Sequence, residues 1–139
     1  MLLSLLHLGR MDYAEALALQ QQLTESRKQE RIGDVLLFVE HPAVLTLGRN
    51  AHREHILASD RLLAGRGVSI FETNRGGGVT YHGPGQLVGY PILDLRGFTP
   101  RLGAVDYVRK LEEVLIRACA DYGILTQRVC GRTGVWTMP

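Results

Sequence analysis

Apolar positions along the chain change period several times, and each change predicts an element. The opening run, Met1-Leu2-Leu3-Ser4-Leu5-Leu6-His7-Leu8, is short and nearly continuous, which predicts a buried strand. After Gly9-Arg10 the period becomes helical. Tyr13, Ala16, Leu17, Ala18, Leu19 and Leu23 form the apolar stripe, with Gln20, Gln21, Gln22, Glu25, Arg27, Lys28 and Glu30 on the wet side. Asp12 is the expected N-cap and Glu15 completes a capping box; the helix is expected to fade near Arg31 and end at Gly33.

Val35-Leu36-Leu37-Phe38-Val39 is uninterrupted and β-branched at both ends, the pattern of a central strand buried on both faces. His41-Pro42 stops it, because proline lacks a donor and restricts its predecessor. Val44–Arg49 predicts a second short strand, and Asn50–Ser59 a loop carrying His52 and His55. A short helix is expected from Ser59 or Asp60 to Gly65, then a strand over Val68–Thr73. Leu87–Leu95 predicts a strand whose Pro91 demands an edge position or a bulge. A second long helix is expected from Gly103 to Tyr122, with Val105, Val108, Leu111, Leu115, Cys119 and Tyr122 on its core face and Gly123 as the C′ glycine. Ile124–Val129 and Gly131–Met138 predict closing strands. Few crossover helices and several hairpin-like neighbours imply an α+β domain with a mixed or antiparallel sheet, not a doubly wound one.

Between two predicted strands lies Arg75-Gly76-Gly77-Gly78-Val79-Thr80-Tyr81-His82-Gly83-Pro84-Gly85-Gln86, five glycines in twelve residues. Glycine there sacrifices stability, so the backbone must turn sharply or lie against a ligand. Arg75, Thr80, Tyr81, His82 and Gln86 are residue types that bind or position one. A phosphate loop would need Gly-Lys-Ser/Thr opening a helix, and a dinucleotide fingerprint needs a third glycine where Tyr81 stands. ATP and NAD binding by these devices are disfavoured, and no cofactor is expected. The stretch is a candidate ligand wall. His82 could contact a ligand or exchange a proton, and His41 could reach the same cleft or serve structure.

Composition narrows the remaining classes. With 139 residues, 45% hydrophobic and 22% charged, residues 1–139 are expected to form one globular domain. Sixteen basic and fourteen acidic residues leave +2, too little to argue for nucleic acid. Only Lys28 and Lys110 are lysines. Cys119 and Cys130 make no disulfide framework, and neither has a local base; His52 and His55 lack partners for a metal site. The apolar N-terminus is too short to span a membrane and lacks the basic start of a signal peptide, so a cytoplasmic location is expected.

Arg75–Gln86 with the following Leu87-Val88 closely resembles the signature of the lipoyl(octanoyl) transferases. Glu40-His-Pro-Ala-Val-Leu-Thr-Leu-Gly-Arg49, Tyr90-Pro-Ile-Leu-Asp-Leu95 and Cys130-Gly-Arg-Thr-Gly-Val-Trp136 fit that family in the same order. Gly83-Pro84-Gly85-Gln86 favours the transferase branch over the related lipoate ligases. The resemblance implies a mixed sheet flanked by helices, like the catalytic domains of biotin and lipoate ligases. It implies transfer of octanoyl from octanoyl-acyl carrier protein to an enzyme cysteine, then to a lysine of apo lipoyl domains. Those acceptors would be the 2-oxoacid dehydrogenase domains and the glycine cleavage H protein. Arg75, Gly76, Gly77, Gly78, Val79, Thr80, Tyr81 and His82 match the family's substrate-binding stretch. On the same resemblance the activating lysine and acyl-accepting cysteine lie beyond Pro139, so no catalytic residue is expected here and the chain alone should be inactive. A monomer without membrane or nucleic-acid partners is expected. Alternatives are a non-catalytic acyl- or carrier-binding remnant and an ATP-dependent lipoate ligase.

Overall fold

The computed structural model describes residues 2–137. The chain divides into two compact units, Met1–Leu93 and Asp94–Pro139.

The first unit contains two three-stranded mixed sheets. In one, β2 (Asp34–Glu40) lies between β1 (Leu3–Arg10), parallel to it, and an antiparallel strand, Val88–Ile92. In the other, β3 (Val44–Leu47) lies between β4 (Ser69–Glu72), parallel, and β5 (Val79–His82), antiparallel; the strand at Val88–Ile92 is then β6. The parallel β1–β2 pair needs a crossover, and α1 (Tyr13–Lys28) provides it. Val35, Leu37 and Ile92 make one core cluster, with Leu19 and Leu23 of α1 packed on it. Leu47, Ile56 and Leu63 make the other, closed by α2 (Asp60–Gly65) and by Val79.

The apolar run of β2 does form the central strand of its sheet. Val35, Leu37 and Val39 are buried and Leu36 and Phe38 are half-buried, so one face is the drier. Pro91 stands opposite Leu36 on β6, which has β2 as its sole neighbour in the described sheet. That is the edge position proline requires. Ser59 caps α2, its Oγ accepting the Leu62 N–H.

Other expectations are corrected. Within its described residues β1 is an exposed edge, not a buried strand: Leu3, Leu5 and Leu6 remain 42–49% exposed and only Leu8 is half-buried. Met1 lies outside the described residues. Asp12 occupies the N-cap of α1 but makes no side-chain cap bond, so the predicted capping box is not formed. The helix ends at Lys28, not near Gly33. Glu30 takes the left-handed conformation (φ 57°) while its N–H donates to Arg27 and that of Arg31 to Ser26. This is a Schellman ending with glutamate where glycine is preferred.

The second unit is built on α3 (Ala104–Asp121), closed by Gly123 (φ 74°) as expected. The predicted core stripe is not what this helix buries. Val105, Leu115 and Tyr122 are exposed, and the buried residue is Glu112. The predicted closing strands contract to β7 (Thr126–Gln127) and β8 (Trp136–Thr137), paired antiparallel; Met138 lies outside the described residues.

Candidate functional site

The glycine stretch lies against the end of β3, where Leu47 hands the chain to Gly48-Arg49-Asn50. Three successive N–H groups donate to it: Gly48 to the Gly78 carbonyl (3.1 Å), Arg49 to Arg75 (2.9 Å) and Asn50 to Gly77 (3.1 Å). The remaining carbonyl, of Gly76, accepts from Arg75 Nη1 at 2.9 Å. Arg75 Nη2 also reaches the carbonyls of Thr46 (2.7 Å) and Gly78 (3.0 Å), and Nε and Nη2 both donate to the buried Thr46 hydroxyl. A planar guanidinium with five fixed donors suits this task, which a lysine could not copy.

All four carbonyls from Arg75 to Gly78 are thus bonded within the protein. The N–H groups of Gly76, Gly77 and Gly78 have no hydrogen-bond partner among the described residues, and Gly76 and Gly77 are exposed. The row therefore holds three backbone donors left unpaired among the described residues, an arrangement suited to a carbonyl oxygen or another partly negative atom. Two glycines are needed for distinct reasons. Gly77 has φ 85°, and a Cβ on Gly48 would stand 2.5 Å from the Gly77 oxygen. Gly48 is a site residue that pattern reading missed; its signal was a glycine ending an apolar strand, which marks close backbone approach.

Beyond the row, β5 alternates. Val79 packs into the second core cluster, while His82, on the opposite face from Val79, meets an aromatic corner. The Thr80 carbonyl accepts from Thr46 Oγ1 (3.3 Å), and the half-exposed Tyr81 ring folds over Gly83. His82 stacks on Tyr13 of α1 (6.0 Å, 14°) and sits edge-on to His41 (5.7 Å).

His41 is fully buried. Its Nδ1 lies 2.8 Å from the Met11 carbonyl, which can only accept, so Nδ1 carries the proton. Nε2 then accepts the Tyr90 hydroxyl at 2.8 Å. Both nitrogens are occupied within the protein. Burial pushes the Tyr90 phenol up to about 12, and nearby Tyr13 adds to this, so Tyr90 keeps the proton it donates. His82 differs. Burial lowers its pKa, His41 and Arg75 lower it further, and the Gln86 hydrogen bond only partly opposes them.

In the second unit, Glu112 organises the segment around Cys130–Trp136. It accepts from Arg109 Nη1 (2.7 and 3.0 Å), Arg128 Nε (3.1 Å) and the Gly134 N–H (2.9 Å). The Arg109 bond, then that of Gly134, holds this carboxyl below its usual range. Arg132 lies over the Trp136 ring at 5.4 Å. Cys119 is half-buried and Cys130 exposed. His52 and His55 are exposed and contact each other at 5.3 Å.

Fold and row together define a mixed-sheet domain with three unpaired backbone donors in its glycine stretch. The chain belongs to the lipoyl protein ligase A/B catalytic domain family, whose model matches residues 12–138. It is 67% identical over its whole length to an octanoyltransferase of Acidobacterium capsulatum, covering 58% of that protein. It is 55% identical to an octanoyltransferase of Koribacter versatilis, over 99% of this chain and 55% of that one. The chain therefore spans somewhat more than half the length of these curated relatives. Among solved structures, P. falciparum LipL1 in complex with lipoate superposes with a TM-score of 0.72 at 12% identity, over 97% of this chain and 40% of that one. At that identity the likeness speaks for the fold.

Proposed function

We propose that this chain is the acyl-binding portion of an octanoyltransferase of protein lipoylation. The observation that carries the reading is the Arg75–Gly78 row with its unpaired amides, in a chain 67% identical to an octanoyltransferase. The donor is octanoyl-acyl carrier protein, and the acceptor is a lysine of an apo lipoyl domain, in 2-oxoacid dehydrogenases or the glycine cleavage H protein. The acyl group passes through a cysteine acyl-enzyme. In this reading the glycines bring the backbone against the thioester. Gly76, Gly77 and Gly78 donate to its carbonyl oxygen, and Val79, Thr80, Tyr81 and His82 continue the wall. Arg75 serves the substrate indirectly, by holding the carbonyls away from it. His41 supports the wall from behind through Met11 and Tyr90. The protein works as a cytoplasmic monomer; among the described residues no helix is long and apolar enough to cross a membrane.

The test is incubation of a full-length version of the protein with octanoyl-acyl carrier protein and an apo lipoyl domain, read by intact mass, beside residues 1–139 alone, which are expected to bind the acylated carrier without transfer. An octanoylated lipoyl domain supports the reading. Binding of the acylated carrier without any transfer by the full-length version would favour a binding module, and no binding at all would overturn both.

A further inference from the structure

The segment Gly83-Pro84-Gly85-Gln86 has no role in the row, yet its geometry is specific. The Gln86 N–H donates to the Gly83 carbonyl (3.1 Å), with proline second and Gly85 third at φ 84°. These are the residues a type II turn demands at those positions. The Gly85 N–H is pinned by Glu40 Oε2 at 3.1 Å. The turn brings Gln86 back over the strand it has just left. There Gln86 Nε2 donates to the Tyr81 carbonyl (3.4 Å), which orients the amide, and Oε1 faces His82 Nδ1 at 2.7 Å. An amide oxygen only accepts, so Nδ1 carries the hydrogen and Nε2 of the neutral ring keeps its lone pair. Nε2 has no partner among the described residues and is not among their sealed, unpaired polar atoms. His41, in the same tautomer, has its lone pair closed by Tyr90.

We infer that Gln86 is a positioning residue that holds His82 with Nε2 open as a proton acceptor for the amine attacking the acyl group. This rests on the octanoyl-transfer reading. As the amine nitrogen closes on the acyl carbon, its N–H proton passes to His82 Nε2. The carbon–sulfur bond breaks, sulfur leaves with the electron pair, and the imidazolium returns the proton to it. Burial favours the neutral form this needs, and His41 after β2 and the Arg75 guanidinium add to it, against the Gln86 hydrogen bond. Tyr13 of α1 stacks on the ring, and the Glu40 carboxylate is bonded to the same turn at the Gly85 N–H.

The experiment compares a full-length version of the protein with its Gln86→Ala and Gln86→Glu variants. Imidazole nitrogen NMR reads the His82 tautomer, and transfer from octanoyl-acyl carrier protein to an apo lipoyl domain is followed against pH. The wild type should show Nδ1–H, and Gln86→Ala should populate Nε2–H. Its kcat should fall about tenfold to a hundredfold, within the reach of a displaced general base, with KM little changed. Gln86→Glu should keep Nδ1–H and move the acid limb of the profile to higher pH. An unchanged tautomer in Gln86→Ala would overturn the positioning role. A changed tautomer with unchanged rate and profile would overturn the acceptor role, while wild-type transfer upheld the transferase reading. If the wild type transferred nothing, the transferase reading would fall and the acceptor role with it.

Discussion

Two segments of this protein are each held by one charged side chain, with opposite signs. Arg75 binds the Gly76 and Gly78 carbonyls of the glycine row, whose amides stay unpaired among the described residues. Glu112 does the reverse, accepting the Gly134 amide and two arginines around the 128–134 segment. The cation shares its work with three backbone N–H groups of residues 48–50, so the row is braced from two sides. The anion is helped at Arg128, whose Nη2 also donates to Glu113 and to the Arg109 carbonyl. A row of unpaired amide donors is thus left where a cation takes the carbonyls, whereas the carboxylate consumes the donors it meets.

The largest effect expected from breaking this contrast is at Gly48. A methyl there meets the backbone of Gly76 and Gly77 and the Arg75 guanidinium, all within 2.9 Å. Backbone cannot step aside cheaply, so Gly48→Ala should cost about 3 kcal/mol, the upper range for overpacking. Urea unfolding measures this; a loss below a few tenths would mean that the row does not lie against β3. Next, Arg75→Leu removes every guanidinium bond to the row and should cost about 2–3 kcal/mol, as for hydrogen bonds to a charged group. Arg75→Lys should recover less than half of that, since one ammonium cannot span Thr46, Gly76 and Gly78 together. Full recovery would show that charge, not the fork, holds the row.

Glu112 gives the acid-sensitive half of the comparison. Its carboxyl is held below the usual range when folded, so its contribution is present above that range and lost as pH falls through it. Thermal melts of the wild type should therefore decline more steeply below about pH 4.5 than those of Glu112→Gln, whose ordinary melting temperature is already lower. Identical slopes would sink the assignment. The smallest effect lies outside both clamps. Glu30→Gly should relieve the left-handed φ of 57° and stabilise by about 1 kcal/mol, seen as a small rise in Tm.

How much was legible from the chain follows from how far each determinant reaches. Pro91 at an edge, a short helix from Asp60 to Gly65, Gly123 as a helix stop and the apolar β2 are short-range matters, and all stand where the pattern placed them. The α+β class and the glycine row as a backbone feature were equally readable. The exposed β1, the missing capping box and the half-exposed stripe of α3 were not, because amphipathic spacing says which residues share a face, not what covers it. The same limit separates His41 from His82. The two look alike in sequence, but His41 is closed by Met11, 30 residues before it, and Tyr90, 49 residues after. His82 is held by a turn four residues away, which leaves one nitrogen open. Arg75 belongs with His41: its bonds to Thr46, 29 residues back, tie its guanidinium to the protein. Local residue choice determined where the backbone could turn and expose itself. Which polar atoms remained free was decided only when distant segments came together and satisfied the others.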